Sequence, residues 1–233
     1  MPALIRLSWP KLSRRLLVTA GVFLAAFLLV TLLVGAGVFG SVNLRLTHSL
    51  QARGSQGQDL TLGLFAYLGS IEVTLLVGVL LGAALFRGLR LLSVLPAAVI
   101  LFASGVEYVF KKLLVSPGPG HAFDRFPGFL PSFSHNVAPY SYPSGHMLRT
   151  TVTYGLVLYL AERWELFGRD SSRLSPVLVL LVALMSYAVI YLGWHWFSDA
   201  LGGLLLGLTL LFALIAYLER KRTVNPGHAP VED

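Results

Sequence analysis

Three short clusters in this 233-residue chain carry side chains able to handle an anion and a proton. The first, Pro143-Ser144-Gly145-His146, opens a long apolar run. Glycine lets the backbone come close to a ligand, and the first amides of a helix point free N–H groups outward beside the positive end of its dipole. Serine adds a hydroxyl, and histidine adds a group that holds or gives a proton near neutral pH. The plainer reading of these four residues is a serine N-cap with a glycine turn. The second cluster, His195 with Asp199, has a spacing of four that puts both side chains on one helix face. The carboxylate can then accept from one ring nitrogen and leave the other as base or nucleophile. Alternatively, Asp199 only caps its helix and His195 belongs to an interfacial aromatic belt with Trp194 and Trp196. The third, Lys111-Lys112, precedes Ser116-Pro117-Gly118-Pro119. Paired lysines at the end of an apolar run serve as snorkelling anchors or as cations for a ligand. Together the clusters offer a cation, helix-end amides, a hydroxyl, two histidines and a carboxylate, which is a phosphate-binding set.

The elements that must position them are membrane helices. The chain is 55% apolar and 12% charged, where a soluble domain runs near a quarter charged. Apolar runs at about 16–39, 63–86, 91–110, 146–161, 175–194 and 197–218 are predicted as six spans, helical because lipid offers backbone polar groups no other partner. The fold class expected is therefore all-α, an integral membrane bundle of about six transmembrane helices. The first run follows Arg14 and Arg15 but exceeds the 7–15 apolar residues of a signal peptide, so it reads as a retained helix. One side of the alternation holds twelve basic residues: Arg6, Lys11, Arg14, Arg15, Arg87, Arg90, Arg163, Arg169, Arg173, Arg220, Lys221 and Arg222. The other holds five, Arg45, Arg53, Lys111, Lys112 and Arg125. Basic loops stay inside, so both termini are expected in the cytoplasm and all three clusters at the extracytoplasmic end.

A single transmembrane domain over residues 1–222 with a loose cytoplasmic tail at 223–233 is expected, and no internal repeat is evident. The long outer connection, about 113–143, is proline-stiffened and rich in aromatics, as a segment lying on the membrane surface would be. The net charge of +7 is scattered over span ends rather than gathered into a face, which argues against a nucleic-acid partner. With no cysteine, disulfides and thiolate chemistry are excluded.

The three clusters resemble the type 2 phosphatidic acid phosphatase family, which includes integral membrane lipid phosphatases, soluble acid phosphatases and vanadium haloperoxidases. Its pattern is Lys, six residues, Arg-Pro; then Pro-Ser-Gly-His; then Ser-Arg, five residues, His, three residues, Asp. Lys111 and Pro119 match the first block, Pro143 to His146 the whole second block, and His195 and Asp199 the third. The matching stretch lies within a phosphatase-like core at about 91–218, and the six-span layout is similar to that of bacterial members. The chain departs from the pattern twice: Gly118 stands where the first arginine belongs, and Ala188-Val189 replaces Ser-Arg. Losing one charged contact to a ligand costs about 2–5 kcal/mol, so replacement cations matter. Arg149, three residues after His146 and on its helix face, is the first candidate; Lys112 and Arg125 are further ones. An arginine one turn into a span needs an anionic partner, which Glu107, Glu72 or substrate phosphate could each provide.

The resemblance implies in-line attack by His195 on a lipid phosphomonoester or diphosphate to give a phosphohistidine, with Asp199 orienting the ring and His146 protonating the leaving alcohol. Lys111, Ser144, the Gly145 amide and Arg149 would hold the phosphate oxygens. Water would free the phosphate, and an alcohol in its place would make the protein a phosphotransferase. No cofactor and no metal is implied, His48, His121 and His135 reading as loop histidines. The expected partners are the bilayer and a membrane lipid phosphate, in a bacterial inner or plasma membrane. A catalytically silent lipid-phosphate binder or transporter is the alternative from another class, motivated by Gly118 and Val189. A generic six-span transporter would leave the outer clusters unexplained.

Overall fold

A computed structural model describes residues 9–86, 93–125, 140–163 and 174–224. Regular structure among them is helical: α1 (Trp9–Gly35), α2 (Gly40–Gln51), α3 (Gln56–Ala66), α4 (Ile71–Phe86), α5 (Leu95–Leu113), α6 (Gly145–Arg163), α7 (Leu174–Tyr191) and α8 (Phe197–Val224), with short 3-10 turns at Tyr67–Gly69 and His121–Phe123. The polar turn at 169–173, most of the outer connection (126–139) and the tail from 225 lie outside the described residues.

Two helices, Leu12–Gly35 of α1 and Phe197–Arg220 of α8, are long and apolar enough to cross a bilayer alone among the described residues, and the α3–α4 pair would do so as one bent span. Leu17, Val18, Val22 and Leu32 stay exposed on α1, as lipid-facing positions do. Charged residues within α5 and α6 turn inward, Glu107 on α5 and Arg149 on α6 both being buried.

The structure differs from the sequence expectation between the first and second spans. α1 stops at Gly35, and Gly37 turns the chain at a φ of 72°, a left-handed value that favours glycine. The stretch between the runs at about 16–39 and 63–86 then folds into α2 and most of α3. Hydropathy missed α2 because Asn, Arg, Thr, His and Gln dilute its leucines. α3 begins at Ser55, whose hydroxyl accepts from the Gln58 N–H at 3.3 Å, an N-cap signal. The second apolar run is not one helix: α3 and α4 meet at 46° across the turn at Tyr67–Gly69. Carbonyls freed at this break find donors on α6, since the Tyr154 hydroxyl donates to Leu68 O at 2.9 Å and Arg149 Nε to Gly69 O at 3.1 Å. Irregular backbone is tolerated in lipid only where protein satisfies it in this way.

α8 packs along α1 on one side and α6 on the other. Gly203 and Gly207, one turn apart, let α6 in close: a Cβ on Gly203 would run into Ser144 O, and one on Gly207 would lie 2.8 Å from Thr151 Cβ. Small residues at this spacing are the usual means of tight helix contact in membranes. Below them Leu156, Leu160, Leu211 and Leu214 form an apolar cluster. Above, Phe27, Tyr142, Leu148 and Leu206 close the gap between α1, α6 and α8. The tight α6–α8 seam brings the N-termini of both helices to one end of the bundle, where α5 and α7 end.

Candidate active site

α6 starts with the motif. Tyr142 and Pro143 are joined by a cis peptide, and the buried Tyr142 ring fits over Gly202 of α8. Ser144 is the N-cap residue: its hydroxyl accepts from Met147 N–H at 3.4 Å, and its own N–H donates to Asp199 O at 2.9 Å. Its side chain is wholly buried. The capping reading therefore describes what the Ser144 oxygen does here, and its backbone ties α6 to the first turn of α8.

The turn that carries His195 follows from the end of α7. Gly193 has a φ of 70°, its N–H donates to Ile190 O at 3.1 Å, and the Trp194 N–H reaches back to Val189 O at 3.0 Å. This pair of bonds is the Schellman ending, in which the left-handed residue is usually glycine. Gly193 meets a second demand, because a Cβ would strike the Phe123 carbonyl. Asp199, the third residue of α8, returns Oδ2 to the Trp196 N–H at 2.9 Å, the reciprocal half of a capping box. The same oxygen accepts from the Ser141 hydroxyl.

His195 and Asp199 are both buried, with Nδ1 3.8 Å from Oδ2, too far for a hydrogen bond. Nδ1 of His195 and Oδ1 of Asp199 have no hydrogen-bond partner. Such orphaned buried atoms are rare and cluster at functional sites. Burial pushes the His195 imidazole below its ordinary pKa and the Lys111 charge acts the same way, against the opposing pull of Asp199 and Glu107. The ring is thereby favoured in its neutral, nucleophilic form. The His146 ring lies 6.0 Å from it, centroid to centroid, and 5.3 Å from Trp194.

Lys111 and Arg149 meet on one carboxylate. Glu107 receives Lys111 Nζ at 2.7 Å on Oε1 and Arg149 Nη1 at 2.6 Å on Oε2. Of the partners left open for Arg149, Glu107 is the one it contacts; Glu72 is exposed at the start of α4. Gly145 lies directly under this carboxylate, so a Cβ there would overlap both oxygens. His146, His195, Asp199, Ser144, Gly145, Lys111 and Arg149 thus gather where α5 ends and α6 and α8 begin.

Lys112 and Arg125 go elsewhere. Lys112, one residue past Lys111, falls on the exposed side of α5 with its ammonium 5.4 Å over the Tyr108 ring. Arg125 forks onto Asp59 of α3, Nε to Oδ1 at 2.7 Å and Nη2 to Oδ2 at 3.0 Å. Their removal from the cluster corrects the expectation that they could supplement its cations. Gly118 packs against Ser141 and Val189 is sealed in the core with Met147 and Met185, so neither position offers a cation.

Residues that motif reading missed hold the His195 turn from outside. Asn43 of α2 exchanges two hydrogen bonds with Ser198, Nδ2 to Oγ at 3.0 Å and Ser198 N–H to Oδ1 at 3.1 Å. Gln51 Nε2 donates to Phe123 O at 2.8 Å and Tyr191 O at 2.7 Å. The Tyr191 hydroxyl joins the Arg125 fork on Asp59 Oδ1 at 2.7 Å. No motif marks these residues in the sequence; Asn43, Gln51 and Asp59 are scattered polar positions of α2 and α3. Asp59→Ala removes the acceptor of a partly exposed bidentate pair. It is expected to cost about 1 kcal/mol, or roughly 2–4 °C in the unfolding midpoint of the detergent-solubilised protein; an unchanged midpoint would mean that the clamp is idle.

Known proteins share the family and the fold of this chain. The model of the PAP2 superfamily matches residues 89–223. Phosphatidylglycerophosphatase B of Bacillus subtilis (strain 168) is 28% identical over 82 residues, which is 35% of this chain and 40% of that protein's length. The fold resembles the crystal structure of a transmembrane PAP2 type phosphatidylglycerolphosphate phosphatase from Bacillus subtilis, with a TM-score of 0.75 at 20% identity over 87% of this chain and 96% of that one. With apolar helices, a matching architecture and a family model that spans more than half its length, this chain is an integral membrane protein that belongs to the PAP2 superfamily.

Proposed function

We propose that the protein is a membrane lipid phosphatase that hydrolyses a phosphomonoester or diphosphate through a phosphohistidine on His195. The observation that carries this reading is the pair of imidazoles 6.0 Å apart at the meeting of two helix N-termini, beside a lysine and an arginine that share one carboxylate. His195, neutral and with Nδ1 toward Asp199, attacks phosphorus with its other ring nitrogen. The bond from phosphorus to the lipid oxygen breaks, and His146 gives that oxygen its proton. Asp199 draws in the Nδ1 proton as the ring gains positive charge. Water then attacks the phosphohistidine, His146 takes its proton, and phosphate leaves with His195 restored. Lys111, Arg149 and the Gly145 amide stabilise the charge on the equatorial oxygens. Ser144 contributes by fixing the start of α6 against α8.

The basic-residue asymmetry supports cytoplasmic termini and a site at the extracytoplasmic face of a bacterial plasma membrane. One transmembrane domain ending near residue 222 is in keeping with α8 running to Val224. Phosphatidylglycerophosphate heads the substrate list because both relatives are named for it. The test is release of inorganic phosphate in mixed detergent micelles from phosphatidylglycerophosphate, phosphatidic acid and a polyprenyl diphosphate. Release from at least one is expected. Binding of any of them without release would favour the catalytically silent reading instead.

A further inference from the structure

Glu107 fills the space between Lys111, Arg149 and the start of α6. Its carboxylate is buried, each oxygen is taken by a different cation, and it covers Gly145 at the positive end of α6. We propose that Glu107 is a positioning residue that holds Lys111 and Arg149 at phosphate spacing and is displaced from at least one of them when phosphate binds. The inference rests on reading this cluster as the phosphate site.

Two like charges brought to one buried place repel, and a lipid-facing protein has little water with which to screen them. A bridging carboxylate removes that repulsion. Arg149 is fixed further by Gly69 O, at 3.1 Å from Nε, so its guanidinium keeps its place when one of its bonds is exchanged. Lys111 sits one helical turn from Glu107 on the same helix and can turn from carboxylate to phosphate by rotating its flexible stem. The cost is competition, because the incoming phosphate meets a resident negative charge. Glu107 therefore trades affinity for order, weakening anion binding while fixing the geometry in which the bound anion reacts.

Glu107→Gln tests this, since it keeps the shape and one acceptor oxygen but removes the competing charge. The readouts are inhibition by orthovanadate, which mimics the phosphoryl transition state, and the separate values of kcat and KM. E107Q is expected to bind orthovanadate at least about tenfold more tightly, one decade of affinity, with a lower KM and a lower kcat. Unchanged or weaker inhibition would overturn the proposal, whether or not kcat falls, because a merely structural carboxylate does not compete with the ligand. Should E107Q fail to fold, Glu107→Asp carries the test: too short to bridge both cations, it should tighten inhibition about threefold, and an unchanged constant would count against the proposal. If wild type ignores orthovanadate, or His195→Ala still releases phosphate, the phosphate-site reading itself fails. If orthovanadate inhibits wild type, His195→Ala releases no phosphate and only the Glu107 variants are unmoved, the failure is confined to Glu107.

Discussion

Replacing His195 by alanine is expected to slow phosphate release by roughly a thousandfold or more, the scale on which loss of a covalent nucleophile acts. The imidazole is buried, favoured in its neutral form, and 3.8 Å from the Asp199 oxygen toward which its Nδ1 points. Removing it takes away the atom that would bond to phosphorus, and His146 cannot replace it from a ring centroid 6.0 Å away. The surroundings should survive the change. Asp199 keeps its bonds from Ser141 and from the Trp196 N–H, and the turn keeps its Schellman bonds, which are all backbone. The variant should therefore fold and still bind orthovanadate while losing turnover, a combination that single-turnover measurement on one folded preparation can establish. Equal rates for variant and wild type would remove the nucleophile from the mechanism.

Arg149→Ala should have the largest effect on stability. It leaves Glu107 buried with Lys111 as its remaining cation partner and strips the Gly69 carbonyl of its donor at the break between α3 and α4. Breaking a buried ion pair from one side costs about 3–5 kcal/mol, which for a protein of this size means roughly 6–20 °C in the unfolding midpoint. Arg149→Lys should recover only part, since an ammonium cannot present the fork that serves Glu107 and Gly69 together. Arg149→Met combined with Glu107→Gln should regain part of the stability, because the buried pair is gone and only the partly exposed Lys111 is left without its carboxylate, yet remain inactive. An Arg149→Ala protein as stable as wild type would mean that the pair holds nothing together.

The later part of the fold was legible because apolar runs and end signals coincide there. The runs read at about 146–161 and 197–218 are α6 and α8 within a few residues, and Ser144 and Asp199 mark their starts. α2 and the break at Gly69 were not legible. Hydropathy averages over a window, so it smooths the polar face of α2 into its leucines and cannot register a bend inside an apolar run. The site was half legible: motif spacing picks out Lys111, His146, His195 and Asp199, but not which cation faces inward. Adjacent lysines on a helix differ by about 100° in direction, which separates Lys111 from Lys112. Arg125 turns away from the cluster because its partner Asp59 lies on α3, a helix that no apolar run marks from its start. The partner of Arg149 stayed open between two acids and a ligand, since nothing local in sequence tells how α5 and α6 rotate against each other.

The steric lock between Gly145 and Glu107 has a consequence for inheritance. The second motif's glycine is kept bare by a carboxylate of its own chain as much as by any visitor, so positions 145 and 107 should drift as a couple. A descendant that shortens residue 107 gains room for a methyl at 145, whereas one that keeps glutamate has no such freedom.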